Sequence, residues 1–157
     1  MTVTFGTRKN ILEIEEGKKL QPKFDNNGLI PVIVTEEKSK EILMHGYMNS
    51  EALELSIKTG LAHYWSRSRE TIWKKGESSG LRQYIIQMKV DDDQDCIWIS
   101  VNVDGVGASC HVGYKSCFYR KINYKKDTSE INLEFTEKKK LFDPKIVYYN
   151  MPNPTKI

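Results

Sequence analysis

The sequence has little of what a secreted, membrane-spanning or disulfide-built chain needs. Its 157 residues include three cysteines, an odd number. The N-terminal stretch "MTVTFGTRKNILEIEEGKK" lacks an apolar core of signal-peptide length and carries Glu13, Glu15 and Glu16. Together these argue against a disulfide framework and for a reducing, cytoplasmic compartment. No apolar run approaches the ~20 residues needed to cross a bilayer. There is no internal repeat, no low-complexity tract, and no CxxC pair of the kind that builds a zinc ribbon. What remains is an ordinary globular composition, 39% hydrophobic and 29% charged, long enough for one domain with a real core.

Net charge is only +3, but it is unevenly spread. Residues 61–90 hold six Lys/Arg against two Glu, a local +4. Residues 91–110 hold five Asp and no basic residue, a local −5. A basic block beside an acidic one suggests phosphate held next to metal; two solvated loops would give the same pattern.

The hydrophobic pattern predicts many strands and one good helix. "GLIPVIV" (28–34) and "KEILMHGYM" (40–48) read as strands. "NSEALELSIKTG" (49–60) is a helix with Asn49 or Ser50 as cap and Gly60 as terminator. "AHYWS" (62–66) is a strand leading into a polar loop. "QYIIQMKV" (83–90) alternates, with Tyr84, Ile86, Met88 and Val90 on one face and Ile85 interrupting the polar row. "CIWISVNV" (96–103) and "KSCFYRKI" (115–122) complete the set, with possible strand pieces at "INLEF" and "KIVYY". Residues 1–22 read as a loosely held N-terminal arm, 23–122 as the core domain and 123–157 as a C-terminal extension with a frayed end. The expected class is α+β, β-rich, with a mostly antiparallel sheet and one main helix.

Three stretches carry chemistry. In "VDDDQDCIWI" an extended backbone would turn Asp91, Asp93 and Asp95 to one face, a set of carboxylates suited to a hard cation such as Mg²⁺. Asp92 would face the other way. "GASCHVGYKSCFYR" (107–120) separates Cys110 from Cys117 by six residues and sets His111 beside the first. Two thiolates alone are a weak zinc signal and need at least one further ligand. "HYWSRSRETIWKKGESSG" (63–80) offers two indoles, Trp65 and Trp73, and the alternation Ser66-Arg67-Ser68-Arg69. Guanidinium groups bind phosphate bidentately and indoles stack on bases, so nucleotide recognition fits. So does single-stranded nucleic acid.

Together these stretches resemble phosphoribosyl-AMP cyclohydrolase, the ring-opening enzyme of histidine biosynthesis. The resemblance runs in order from "FDNNGLIPVIV", through "LMHGYMNSEALELSIKTGLAHYWSRSRETIWKKGESSG", to the acid cluster and "ASCHVGYKSCFYR", covering roughly residues 23–122. It implies a β-rich homodimer with zinc sites across the subunit interface. It also implies Mg²⁺ on Asp91, Asp93 and Asp95, and Zn²⁺ on Cys110, Cys117 and a cysteine from the family's Asp-Cys-Asp-x-Asp motif. This chain has Asp92 at that cysteine's position. Asp92, which keeps the position, is the preferred third ligand, with Cys96 as the alternative and His111 as a further contributor. Asp92 and Cys96 would stand ~13 Å apart on an extended strand, too far to serve one ion unless the chain folds back.

The activity so implied is hydrolytic opening of the adenine ring of phosphoribosyl-AMP at the C6–N1 bond, by hydroxide formed on zinc. His111 would shuttle the proton, while Arg67, Arg69 and Lys75 hold phosphates. Ser66 and Ser68 would donate hydroxyls and Trp65 or Trp73 would stack on the base; Glu77 joins the substrate-binding set. A small-molecule nucleotide is then the partner, with no membrane and nucleic acid disfavoured. Two alternatives stay open: a metal-dependent nucleotide hydrolase or deaminase with another substrate, and a non-catalytic nucleotide- or RNA-binding module.

Overall fold

The computed structural model describes residues 3–124 and 130–157. Chain order is α1 (Ile11–Glu16), β1 (Ile30–Glu36), β2 (Ile42–Met48), α2 (Ser50–Thr59), β3 (His63–Ser66), β4 (Thr71–Lys74), β5 (Gln83–Val90), β6 (Ile97–Val103), β7 (Arg120–Asn123), β8 (Asn132–Phe135) and α3 (Pro144–Val147). A four-stranded sheet runs β2-β1-β6-β5, and β3-β4 and β7-β8 form two-stranded ribbons. Among the described residues only the β1–β6 pair is parallel, so the fold is α+β with mostly antiparallel pairing. Among the described residues no helix is long and apolar enough to cross a membrane.

The core lies where one sheet face meets α2 and the β3–β4 ribbon. Alternate residues of β1 (Ile30, Val32, Val34) and of β6 (Ile97, Ile99, Val101) point inward, as a period-two strand requires. They pack on Ala52 and Leu53 of α2 and on Tyr64 of β3. The helix starts where the Asn49 side chain accepts from the Ala52 amide at 2.8 Å and ends at Gly60 in the left-handed region, φ 68°.

Several sequence expectations are corrected. The register of β5 slips between Ile85 and Gln87, so a bulge at Ile86 switches the inward set from Gln83 and Ile85 to Met88 and Val90. Tyr84 and Ile86 therefore face solvent and do not share the face of Met88. The polar loop after Ser66 returns as a strand, β4. "KSCFYRKI" is a strand only from Arg120, because Cys110 and Cys117 sit on a tight loop whose backbone pairs with itself. "KIVYY" supplies the last three residues of a short helix, α3, with Pro144 in the first turn and the Asp143 carboxylate accepting from the Lys145 amide at 2.9 Å. "INLEF" does supply a strand, β8.

The N-terminal arm is not loosely held. Arg8 donates to the Gln21 carbonyl at 2.5 Å and to the Asp93 carbonyl at 2.8 Å. Gln94, buried in the β5–β6 turn, accepts from the Gln21 amide at 2.7 Å and donates to the Ile14 carbonyl at 2.9 Å. Met1 and Thr2 of the arm, and residues 125–129 of the extension, lie outside the described residues.

Candidate active site

The β3–β4 ribbon is pinned from below. Tyr64 is buried and donates to Gln83 Oε1 at 2.6 Å, while Gln83 Nε2 donates to Ser109 Oγ at 3.1 Å. Burial pushes the Tyr64 phenol well above its usual range. The Trp73 ring lies 5.3 Å from that of Tyr64, centroid to centroid. On this base the Arg67–Glu70 turn is exposed, and its guanidiniums lie along aromatic faces. Arg67 sits 4.1 Å above the Tyr47 ring; Arg69 sits 5.8 Å from Trp73 and donates to Ser66 Oγ at 3.1 Å. Lys75 is different. It is buried at the end of the ribbon, its ammonium donating to the Ser109 carbonyl at 2.6 Å and lying 5.3 Å from the Trp73 ring. Burial lowers its pKa, against an opposing pull from Cys117 and Cys110.

Those two thiols meet because the 109–117 segment doubles back. The Ser109 amide donates to the Lys115 carbonyl at 2.9 Å, and the Cys110 amide to Tyr114 at 3.2 Å. The Cys117 amide donates to the Leu43 carbonyl at 2.7 Å, fixing the return limb to β2. Buried Cys110 is drawn down to about 7 by a hydrogen bond from Cys117, assisted by the Lys75 charge; Cys117 is pushed up by the same sharing. Within this chain the pair has no third His, Cys, Asp or Glu ligand atom grouped with it, among the described residues. The donors suit a thiophilic ion, with one protein ligand still to be supplied.

Above the pair opens a cavity of about 1290 Å³. All eight residues singled out for substrate, Trp65, Ser66, Arg67, Ser68, Arg69, Trp73, Lys75 and Glu77, line it, with His111 and Cys117. Further lining comes from the C-terminal extension: Lys140, Pro144, Lys145, residues 148–154 and Lys156. Its anchors explain why it stays. Glu137 accepts from the Lys115 and Ser116 amides at 2.8 and 2.9 Å. The Leu141 amide donates to the Gly113 carbonyl at 2.7 Å, and a Cβ at Gly113 would stand 2.5 Å from the Phe142 carbonyl oxygen. Gly113 has φ +104°, so both backbone angle and close approach call for glycine. Farther on, Thr155 Oγ1 lies 3.4 Å from His111 Nε2. Burial lowers the His111 pKa, with Lys75 adding and Asn153 opposing.

The acid cluster stands apart and does not line this cavity. It is the β5–β6 turn. The Gln94 amide donates to the Asp91 carbonyl at 3.2 Å, and Gln94 itself is left-handed at φ 57°. Asp91 Oδ1 accepts from the Asp95 and Cys96 amides at 2.9 and 3.0 Å. Strand parity is thus overturned as the reason Asp91, Asp93 and Asp95 meet; the turn gathers them, with one oxygen of each within 4.8 Å of the others. Three carboxylates so placed suit a hard oxygen-seeking cation. Lys23 offsets part of the charge, its ammonium 3.8 Å from both Asp93 and Asp95. Desolvation, then the Asp91 contact and the neighbouring charges, hold the Asp95 carboxyl above its ordinary value. Asp92 is exposed in this turn and Cys96 half-buried at its exit. Because the chain folds back here, the extended-strand separation between them no longer applies.

Sequence reasoning missed Ser109, Gln83 and the C-terminal wall. The buried polar pair leaves no local signature. The wall did leave one: Asp143-Pro144 is a helix start.

A family profile described as phosphoribosyl-AMP cyclohydrolase matches residues 44–119. Relatives bearing that name include proteins from three bacteria. The Sinorhizobium fredii protein is 44% identical over 149 residues, covering 94% of this chain and 97% of its own. The Rhodopseudomonas palustris protein is 48% identical over 136 residues, 87% and 89% of the two chains. The Brucella canis protein is 52% identical over 109 residues, 69% and 78%.

Proposed function

Given that the chain belongs to the phosphoribosyl-AMP cyclohydrolase family of enzymes, we propose that it hydrolyses the C6–N1 bond of the adenine ring in phosphoribosyl-AMP, in histidine biosynthesis. The observation that carries this reading is the cavity. It brings a basic turn, the two indoles of the ribbon that carries it, an imidazole and the Cys117 thiol around one space large enough for a nucleotide.

Arg67 and Arg69 bind phosphate, with the Ser66 and Ser68 hydroxyls as supporting donors. Trp65 and Trp73 flank the base and keep bulk water from its faces. Alkylation at N1 leaves C6 electron-poor, so water adds there. N1 then departs with the bonding pair and takes up a proton. His111, on the cavity wall, moves that proton from the attacking water to N1. Lys75, buried on the Ser109 carbonyl, favours the Cys110 thiolate when its ammonium is charged, an effect opposed by the burial that lowers its own pKa. Cys110 and Cys117 would hold Zn²⁺, and Asp91, Asp93 and Asp95 would hold Mg²⁺. Bound zinc supplies hydroxide near neutrality by lowering the pKa of its water to ~7. Asp92 is the proposed third ligand. It does not group with the thiols inside one chain, which supports a site completed by the Asp92 of a second copy in a homodimer.

The test is a near-neutral ultraviolet assay on phosphoribosyl-AMP, since opening the purine changes its absorbance, with metal content measured alongside. The wild-type chain turns over phosphoribosyl-AMP faster than other adenine nucleotides. Asp92→Ala loses zinc and activity together, and Cys96→Ala keeps both. A wild type that binds the nucleotide without opening it would sink the proposal.

A further inference from the structure

The cavity is larger than one nucleotide needs, and only one of its walls has been used. Its volume of about 1290 Å³ exceeds the roughly 300–1,000 Å³ typical of small-ligand pockets. The used wall carries Arg67, Arg69, Lys74 and Lys75. The rest of the lining includes the C-terminal segment, and it too is basic: residues 138–157 hold five Lys against one Asp. Three of those lysines, Lys140, Lys145 and Lys156, line the cavity. None of the three forms an ion pair with a carboxylate among the described residues. Lys140 lies 5.8 Å from the Tyr114 ring, beside the Gly113 contact that docks the segment. Lys140 is therefore held at the site by a built backbone joint, and Lys145 follows it on α3, whose first turn Asp143 caps.

Like charges gathered around one space repel, and the arrangement costs free energy unless anions offset them. The substrate class read above has a phosphate at either end, separated by two riboses and a base. We infer that the C-terminal segment is the second half of the substrate site. Lys140, Lys145 and Lys156 form a subsite for one of the two phosphates, while the Arg67–Arg69 turn takes the other. This deepens the proposed cyclohydrolase reading and rests on it. It also assigns a role to residues outside the span that the family profile matches.

Steady-state kinetics on the full-length, metal-loaded enzyme test it. Replacing all three lysines by alanine raises KM for phosphoribosyl-AMP by about tenfold or more, the scale of lost charge-assisted contacts, with kcat affected less. The matching Arg variant keeps the wild-type KM, and the Ala variant shows a flatter dependence of KM on ionic strength. Thermal unfolding of both variants stays with the wild type, since all three side chains border solvent. An Ala variant with KM within twofold of wild type overturns the subsite, as does an Arg variant as impaired as the Ala one. A wild type that never opens the ring in the same assay overturns the cyclohydrolase reading itself and removes this inference with it.

Discussion

His111 owes its place to one neighbour beside it in sequence and one far from it. Cys110 fixes its backbone, and Thr155 sits 3.4 Å from its Nε2. Its proposed task is proton transfer, which is typically worth ~10²–10⁴-fold in rate, so His111→Ala lowers kcat by about that factor. Metal content and the unfolding midpoint remain those of the wild type, because in the proposed site the imidazole holds neither. Stopped-flow absorbance with parallel metal analysis checks both. At this scale the sequence was generous. Side-chain chemistry survives in a linear string, so Arg67, Trp73, His111 and the two thiols could all be named before any folding was known. Lys75 shows the limit: it reads as one more phosphate-binding cation, yet its ammonium is buried on the Ser109 carbonyl.

At the scale of elements the acid turn is the instructive case. Alternation along β5 predicts three carboxylates on one strand face; the structure gathers the same three by turning the chain. The right residues came from the wrong geometry, because a period-two pattern cannot show where a strand stops. The bulge at Ile86 is a similar miss, although Ile85 interrupting the polar row was its visible trace. The turn also explains what secures the N-terminal arm. Gln94 makes three bonds there, from Gln21 and to Ile14 and Lys19. Gln94→Ala leaves buried backbone groups unpaired at about 1–3 kcal/mol. Denaturant unfolding registers that loss, and hydrogen exchange of the 10–21 amides rises most.

For the whole molecule, one ion cluster ties the candidate site to the sheet. The Lys115 ammonium lies 2.9 Å from Glu36 on β1 and 2.7 Å from Glu41 just before β2. Hydrogen bonds from Ser39 and then Lys115 hold Glu36 below its ordinary 4.5, and Glu41 leads in raising Lys115 above 10.5. The signs differ at the two ends of the pH scale. Stability from Glu36 is present above 4.5 and fades as pH falls through its depressed value. Stability from Lys115 is present below 10.5 and fades as pH rises through its elevated value. Being partly exposed, the cluster is worth about 1 kcal/mol or less. Lys115→Met accordingly lowers the melting temperature slightly near pH 7, and its curve converges on the wild type's in strong acid and strong base. The fold class was legible from the balance of strands to helices. The joint between extension and site was not, since it depends on Gly113 meeting Phe142 across a gap in sequence that no local pattern records.

The docked C-terminal wall also bears on the order in which this enzyme comes into being. Residues 140–156 leave the ribosome after every strand of the sheet, so a nascent chain can bury its core while the chamber still lies open on one side. A polypeptide that ends shortly past Tyr119 would still carry every strand of the four-stranded sheet but lack the segment that lines the cavity from Lys140 to Lys156, and protein yield alone would not reveal the loss.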